Sequence, residues 1–398
     1  MKTRTGNCQE IFLTTALLRI AFAAIACISF WSSLSTSRAG PLDVWHVRSS
    51  GVTNALNADA YGNGTFVVVG NEGTLLTSSD GVAWTRRNSG AASALNSVVF
   101  ANNIFVIVGE SGSILTSANG ASWIRRNSGT TDFLYDVTYG GGKFIAVSDT
   151  GTVVSSTDGL TWTPRSGSTT GVYGVAFGNS KYVSVGATVS CFIFCVYNTV
   201  TYASGDAVTW SQTYPGQGYL MSDLAFGNGS FVAVGDQGTI LTSTDGTSWI
   251  QPNSGASEFL WNVAFGNNTF VVVGGQRGGI FTSSDRVNWT ARNSGTPNGL
   301  FNVAYANGTF MAVGQYGTIL QSDSVVVAPP TLLMSLSGNN FQFSWPVSAG
   351  SFSLEETDNL TTPTWSSTPN QIPTVVGDQT VVTLPAAQTG TRFYRLVR

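Results

Sequence analysis

Short apolar runs alternate with glycine-rich turns along most of the chain, and one phrase of that pattern keeps returning. In its clearest copy an apolar start at Met221 leads to Phe226-Gly227-Asn228. Phe231-Val232-Ala233-Val234-Gly235 follows, then a glycine turn, Thr239-Ile240-Leu241-Thr242-Ser243, and Asp245-Gly246 ahead of Trp249. The runs are too short for helices, and their bounding Asn-Gly and Asp-Gly pairs are turn residues, so the phrase predicts four short strands. Asn63-Gly64, Asn228-Gly229 and Asn307-Gly308 tolerate the positive φ of a type I′ hairpin between the first two. Several of these pairs also fit the N-glycosylation triplet, as at Asn63-Gly64-Thr65, but their regular position reads as turn chemistry.

The phrase has a period. Its tryptophan recurs at Trp45, Trp84, Trp123, Trp162, Trp210, Trp249 and Trp289, at intervals of 39, 39, 39, 48, 39 and 40 residues. Four strands per roughly 40 residues predict an all-β fold, the β-propeller. Apolar starts near Leu56, Leu95, Leu134, Val172, Met221, Leu260 and Leu300 give seven units. The seventh runs out before its tryptophan, whereas Val44 to Gly51 is an outermost strand with no unit of its own. The expectation is therefore a seven-bladed ring over 43–327, closed by residues 43–50, which removes an exposed sheet edge. Unit four is longer because Thr188 to Val200 is inserted between its second and third strands. The insert makes a candidate contact element.

Pro329-Pro330 marks a boundary. Beyond it, alternating runs such as Phe341-Gln342-Phe343-Ser344-Trp345 and Thr380 to Leu384 predict a small β-sandwich over 331–398. At the other end, Lys2 and Arg4, the apolar Ile20 to Trp31 and Ser37-Arg38-Ala39 read as a signal peptide over 1–39. The apolar stretch is short for a membrane span. A secreted, periplasmic or cell-surface protein is expected, with no membrane span after cleavage.

Composition narrows the partners. The net charge is −3, and the chain beyond residue 39 carries about −6, because Lys2, Arg4, Arg19 and Arg38 outnumber Glu10 in the leader. Without Lys/Arg clusters, nucleic acid is not an expected partner. Cleavage would leave Cys191 and Cys195. Four residues along a straight strand span about 13 Å, beyond the disulfide limit of about 7 Å. They bridge only if Phe192-Ile193-Phe194 turns the chain; two buried thiols are the alternative.

The repeated turn, as in Ser78-Ser79-Asp80-Gly81-Val82-Ala83-Trp84, resembles the Asp-box (BNR) repeat of sialidase-like propellers, phrased Ser-x-Asp-x-Gly-x-x-Trp. Here the residue between Asp and Gly is missing. The whole unit also resembles propellers of the photosystem II assembly-factor type, and the C-terminal part is similar to immunoglobulin- or fibronectin-type modules of secreted bacterial proteins. The pairs Asp80/Trp84, Asn119/Trp123, Asp158/Trp162, Asp206/Trp210, Asp245/Trp249 and Asp285/Trp289 repeat too evenly to be a catalytic acid. They read as staples, in which the carboxylate caps a tight turn and the indole, burying on the order of 200 Å², pins the outermost strand.

Variation gathers on the opposite face, where the innermost strands begin. Tyr135, Asp136, Tyr173, Asp223, Trp261, Asn262 and Phe301 are expected around the channel mouth, with Arg277 and Tyr316 in turns of the same face. Aromatics interleaved with carboxylates and amides suit a polysaccharide or a protein ligand. A binding module acting as a monomer is expected, without cofactor or metal. The alternative is a glycoside hydrolase, sialidase-like or built on Asp136 and Asp223. The sialidase resemblance implies an arginine cluster for the substrate carboxylate, and here Arg86, Arg87, Arg125, Arg126, Arg165 and Arg292 all follow the repeated tryptophan on outermost strands, as solvated charges. The only histidine, His46, lies on the closing strand, away from any such site. No residue is assigned a catalytic role.

Overall fold

The computed structural model describes residues 11–12, 40–165, 169, 171–191, 195–214, 218–324, 332–338, 340–346, 353–359, 364–367, 373–376, 379–385 and 392–397. The expected signal peptide therefore lies outside the described residues except at Ile11–Phe12, which pair with Phe393 and Tyr394. Among the described residues no helix is long and apolar enough to cross a membrane. The chain divides into two compact units, Ser37–Val325 and a second containing Val326–Arg398.

The larger unit is a β-propeller of seven antiparallel sheets. Blade 1 runs outward through Leu56–Gly62, Thr65–Gly70, Leu75–Ser78 and Thr85–Arg86. The innermost strands of blades 2 to 7 are Leu95–Ala101, Asp136–Gly140, Val172–Gly178, Met221–Gly227, Leu260–Gly266 and Leu300–Ala306. Each packs on the next and the last packs on the first, which closes the ring. In blade 5 the fourth strand is reduced to a bridge between Thr242 and Ile250. Blade 7 takes its fourth strand from Trp45–Ser49, with Trp45 opposite Ser322 and Val47 opposite Leu320.

Second strands are buried throughout because both sheet faces are covered, which explains their unbroken apolar runs. Seven apolar clusters fill the seams between neighbouring blades. Glycine gives room where the first strand of blade 1 ends on the next blade's ring, since a Cβ on Gly62 would lie 2.0 Å from Phe100, whereas blades 2 and 7 carry Ala101 and Ala306 at that position. Asn63 and Gly64 turn at φ 47° and 74°, as a type I′ hairpin demands.

The staple turns have uniform geometry. Asp158 Oδ1 accepts the amides of Leu160 and Thr161 at 2.8 and 2.9 Å, and Ser156 Oγ donates to it at 2.9 Å. Asn119 forms the same pair of amide bonds in blade 2, so a neutral carbonyl oxygen can also cap the turn. These donors hold Asp80 and Asp206 down to about 2 and lower Asp158, Asp245 and Asp285 as well. The expectation that the outermost arginines are solvated needs correction. Arg87, Arg126 and Arg292 donate through Nε to Thr77, Thr116 and Thr282, each at 2.9 Å, because alternate residues of that strand face the third strand. Arg292 also pairs with Asp43.

The insertion in blade 4 does not form a separate hairpin. It lengthens the second and third strands to Lys181–Cys191 and Cys195–Ser204, with Cys191 directly opposite Cys195. Phe192 to Phe194 and the two cysteine side chains lie outside the described residues.

The second unit contains two four-stranded sheets. Phe343, Trp345 and Val382 from one share a core with Leu354 and Tyr394 from the other, a small sandwich.

Candidate functional site

A bulge at the start of each innermost strand builds the site. In blade 6 Leu260 pairs with Gly274 and Asn262 with Val273, so Trp261 is left out of the ladder. The same shift isolates Asn57, Asn96, Tyr173, Ser222 and Phe301. In blade 3 the amide of Tyr135 bonds Val147 O while Asp136 also opposes Val147. A bulge re-aims the extra side chain. Here all seven turn toward one cavity of about 620 Å³ at the channel mouth.

Polar and aromatic bulge residues behave differently. Asn57 and Asn96 donate to Leu95 O and Leu134 O of the following blade at 3.0 and 2.9 Å, and Ser222 Oγ donates to Leu260 O at 2.6 Å. Aromatic residues cannot make this link and pack on one another. Tyr135 and Tyr173 meet edge to face at 5.1 Å, on the blade 3–4 side. Trp261 lies between Phe259 at 4.1 Å and Phe301 at 5.6 Å, on the blade 6–7 side. The cavity therefore has two aromatic walls set on different parts of the ring.

The next residue forms a belt of links in five of the seven strands, with Ala58 and Gly174 at the other two. Asp136 Oδ2 accepts Val175 N at 2.9 Å, Asn262 Oδ1 accepts Val303 N at 3.0 Å, and Asn302 Oδ1 accepts Asp59 N at 3.2 Å. Asp223 Oδ2 accepts Val263 N at 3.1 Å and Asn262 Nδ2 at 2.7 Å. Ser97 Oγ and Val137 N take up the other oxygen of Asp136, each at 2.8 Å. Gly174 leaves room for this arrangement, since a Cβ there would stand 2.8 Å from the Cα of Asp223.

Desolvation raises both carboxyls, and the charge of Asp136 pushes Asp223 further up, its hydrogen bonds opposing. Tyr135 is pushed up to about 12, by burial first and then by Asp149. It stays a phenol, able to donate.

Structure and sequence agree on the face but not on every member of the site. Tyr135, Asp136, Tyr173, Asp223, Trp261, Asn262 and Phe301 line the cavity. Arg277 and Tyr316 do not. Arg277 sits in an adjoining depression with Glu258 and Trp261. Tyr316 is 73% exposed, beside Val52 and Asn54. In the turn Gln315–Gly317 the middle residue has φ 55°, which throws Tyr316 outward, while Gln315 lines the cavity and accepts Gly299 N. Gln276 likewise takes the place expected of Arg277. Sequence reading also missed Phe259, although its aromatic character beside Leu260 was visible. Among the described residues no group of His, Cys, Asp and Glu could hold a metal ion.

No protein-family model and no curated protein matches the chain. Solved structures do, and they share the propeller fold. YCF48 bound to D1 peptide is 17% identical, with a TM-score of 0.57 over 70% of this chain and 94% of that one. The WD40 propeller domain of Doa1 is 13% identical, with a TM-score of 0.56 over 70% and 97%. A Niastella koreensis GH74 enzyme is 12% identical, with a TM-score of 0.56 over 76% and 59%.

Proposed function

We propose that this propeller is a recognition module that holds a segment of a partner polypeptide across the channel-mouth cavity. The observation that carries this reading is the split among the bulge residues. Four of the seven positions hold an aromatic ring in place of a residue that links blades. Rings that contribute nothing to the link and stay partly open to solvent suit a ligand. The volume is that of a pocket taking a few side chains, and amides from Asn57, Asn96 and Gln276 offer hydrogen bonds to a backbone. YCF48, of the same fold, is described bound to D1 peptide, which makes a peptide the first ligand class to test.

Polysaccharide is the second reading. Trp261 is 40% exposed and backed by Phe259, so it also offers a stacking face to a sugar ring. Hydrolysis by Asp136 and Asp223 has less support, because donors within the ring already engage both oxygens of Asp136. We further propose that the protein acts outside the cytoplasm as a monomer, with an immunoglobulin- or fibronectin-like C-terminal module. The leader and composition of the sequence support that part.

The test is to probe the full chain against a random 12-residue peptide array and a glycan array, beside Trp261→Ala and Tyr173→Ala. Peptide binding weakened tenfold or more by either change supports the reading. Glycan binding with the same sensitivity replaces it, and binding indifferent to both variants overturns the site.

A further inference from the structure

The kind of side chain the cavity selects follows from how charge is distributed over the ring. The mouth carries acids at its floor and rim. Asp136 and Asp223 line the cavity. Glu72, Glu110, Asp149 and Asp236 occupy turns between second and third strands, and Glu258 flanks Trp261 from a blade link. Basic residues are elsewhere. Lys143, Lys181 and Arg286 bond carbonyls on the Asp-turn face, at Asp206, Asp245 and Asn228. The other arginines of the ring lie on outermost strands, except Arg277, which is outside the cavity. Among the described lining residues there is no lysine or arginine.

The two aromatic walls give this asymmetry a geometry. Ring faces attract cations through their quadrupoles, and shielded carboxyl groups without a cationic partner attract them by charge. Walls from Tyr135 and Tyr173 on one side and Trp261 and Phe301 on the other, above Asp136 and Asp223, combine both. We propose that the cavity binds an organic cation, the lysine or arginine side chain of a bound peptide, held against one of these aromatic walls and drawn in by the two aspartates. The proposal rests on the peptide reading above and names the side chain that enters. A cation beside them favours their ionised form against the desolvation that raises them, and an ionised Asp136, with about four acceptor sites, keeps capacity beyond its three donors from the ring. The rim acids draw a cationic ligand in and repel an acidic one.

Isothermal titration of the full chain at low salt tests it. The probes are N-acetyl-lysine methylamide, N-acetyl-arginine methylamide and the uncharged N-acetyl-norleucine methylamide, together with array-selected 12-residue peptides in which lysine is exchanged for norleucine. Cationic probes are expected to bind at least tenfold more tightly than norleucine. That preference should fall below threefold in Asp223→Asn and in Glu258→Gln together with Trp261→Ala. If Asp223→Asn fails to fold, salt decides on the unaltered protein: lysine affinity must drop between 20 and 300 mM salt, while any norleucine affinity holds. Equal binding of lysine and norleucine overturns the proposal, as does a preference that survives the variants. Neutral peptides captured in a Trp261-dependent way would overturn the cation site and leave the peptide reading standing. Cationic amino-acid derivatives that bind when no peptide does would support the cation site and overturn that reading.

Discussion

Replacing Asp59 with valine should stabilise the ring, and the size of the gain should depend on pH. Asp59 occupies the strand position at which the other blades place Val98, Val137, Val175, Leu224, Val263 and Val303, all buried in the seams. The seam it belongs to, between blades 7 and 1, is built from Leu56, Phe66, Val68 and Leu76 against Ala306, Met311, Val313 and Ile319. Asp59 is 5% exposed, and neither of its carboxyl oxygens has a hydrogen-bond partner among the described residues. An unpartnered buried polar group costs about 1–3 kcal/mol. Valine adds burial of apolar surface, and its extra bulk offsets part of the benefit. A net gain of about 1–3 kcal/mol is expected near pH 4, where both chains hold the proton, which for a ring of this size is roughly 3–10 °C in Tm.

Burial also pushes the Asp59 carboxyl well above its usual range. Below about pH 4 both folded and unfolded chains hold the proton, and the group adds no pH dependence. As pH rises, the unfolded chain ionises while the folded chain keeps the proton. Stability then falls by up to about 1.4 kcal/mol per pH unit until the folded pKa is reached. The gap between Asp59→Val and the parent should thus be smallest near pH 4 and widen toward pH 7. Scanning calorimetry of both chains at pH 4, 5.5 and 7 reads this directly, with Asp59→Asn as a neutral control of the same shape. A valine variant less stable than the parent at pH 7, or a gap that does not change with pH, would mean that Asp59 is not an unpaired buried acid.

Three further outcomes follow from the same geometry. Asp158→Asn should lower Tm by less than Asp158→Ala in thermal melts, since Asn119 shows that a neutral oxygen still caps the turn, whereas Asp158→Ala should lower it by about 2–4 °C through loss of two amide bonds. Asn262→Ala, which breaks the links to Asp223 and Val303, should cost about 1–3 kcal/mol in urea unfolding, with no change in secondary structure by circular dichroism. Because amide donors hold Asp80 and Asp206 at about 2, their contribution is full above the ordinary carboxylate pKa and is lost as pH falls toward 2. Acid unfolding of the ring followed by tryptophan fluorescence should therefore lie mainly below about pH 4.

Much of the ring is legible in the sequence because its signals are local and repeated. An Asp-Gly turn four residues before a tryptophan states where a blade ends, and an unpaired outermost strand at Val44 to Gly51 states how the circle closes. The face that holds the cavity is legible too, since strand direction alone sends variable strand starts to one side. What the pattern does not carry is the bulge. Whether Tyr173 or Gly174 points into the cavity depends on a one-residue shift in the ladder, which period-two reasoning cannot supply. The same limit explains Tyr316, where the residue's own positive φ throws it outward, and Arg277 lies in a turn of another kind, with positive φ at Gly275 and Gly278. Asp59 stands in the sequence as a charge within an otherwise uncharged strand, but its lack of a carboxyl partner among the described residues is a property of the seam.

Hydrogen–deuterium exchange of the full chain, with and without the tightest-binding 12-residue peptide from the array, tests the account's core most directly. Added protection is expected in the strand starts around Tyr135, Tyr173, Trp261 and Phe301, with no change on the Asp-turn face. Protection confined to the outermost strands or to the turns at Asp80, Asp158 and Asp245 would contradict it.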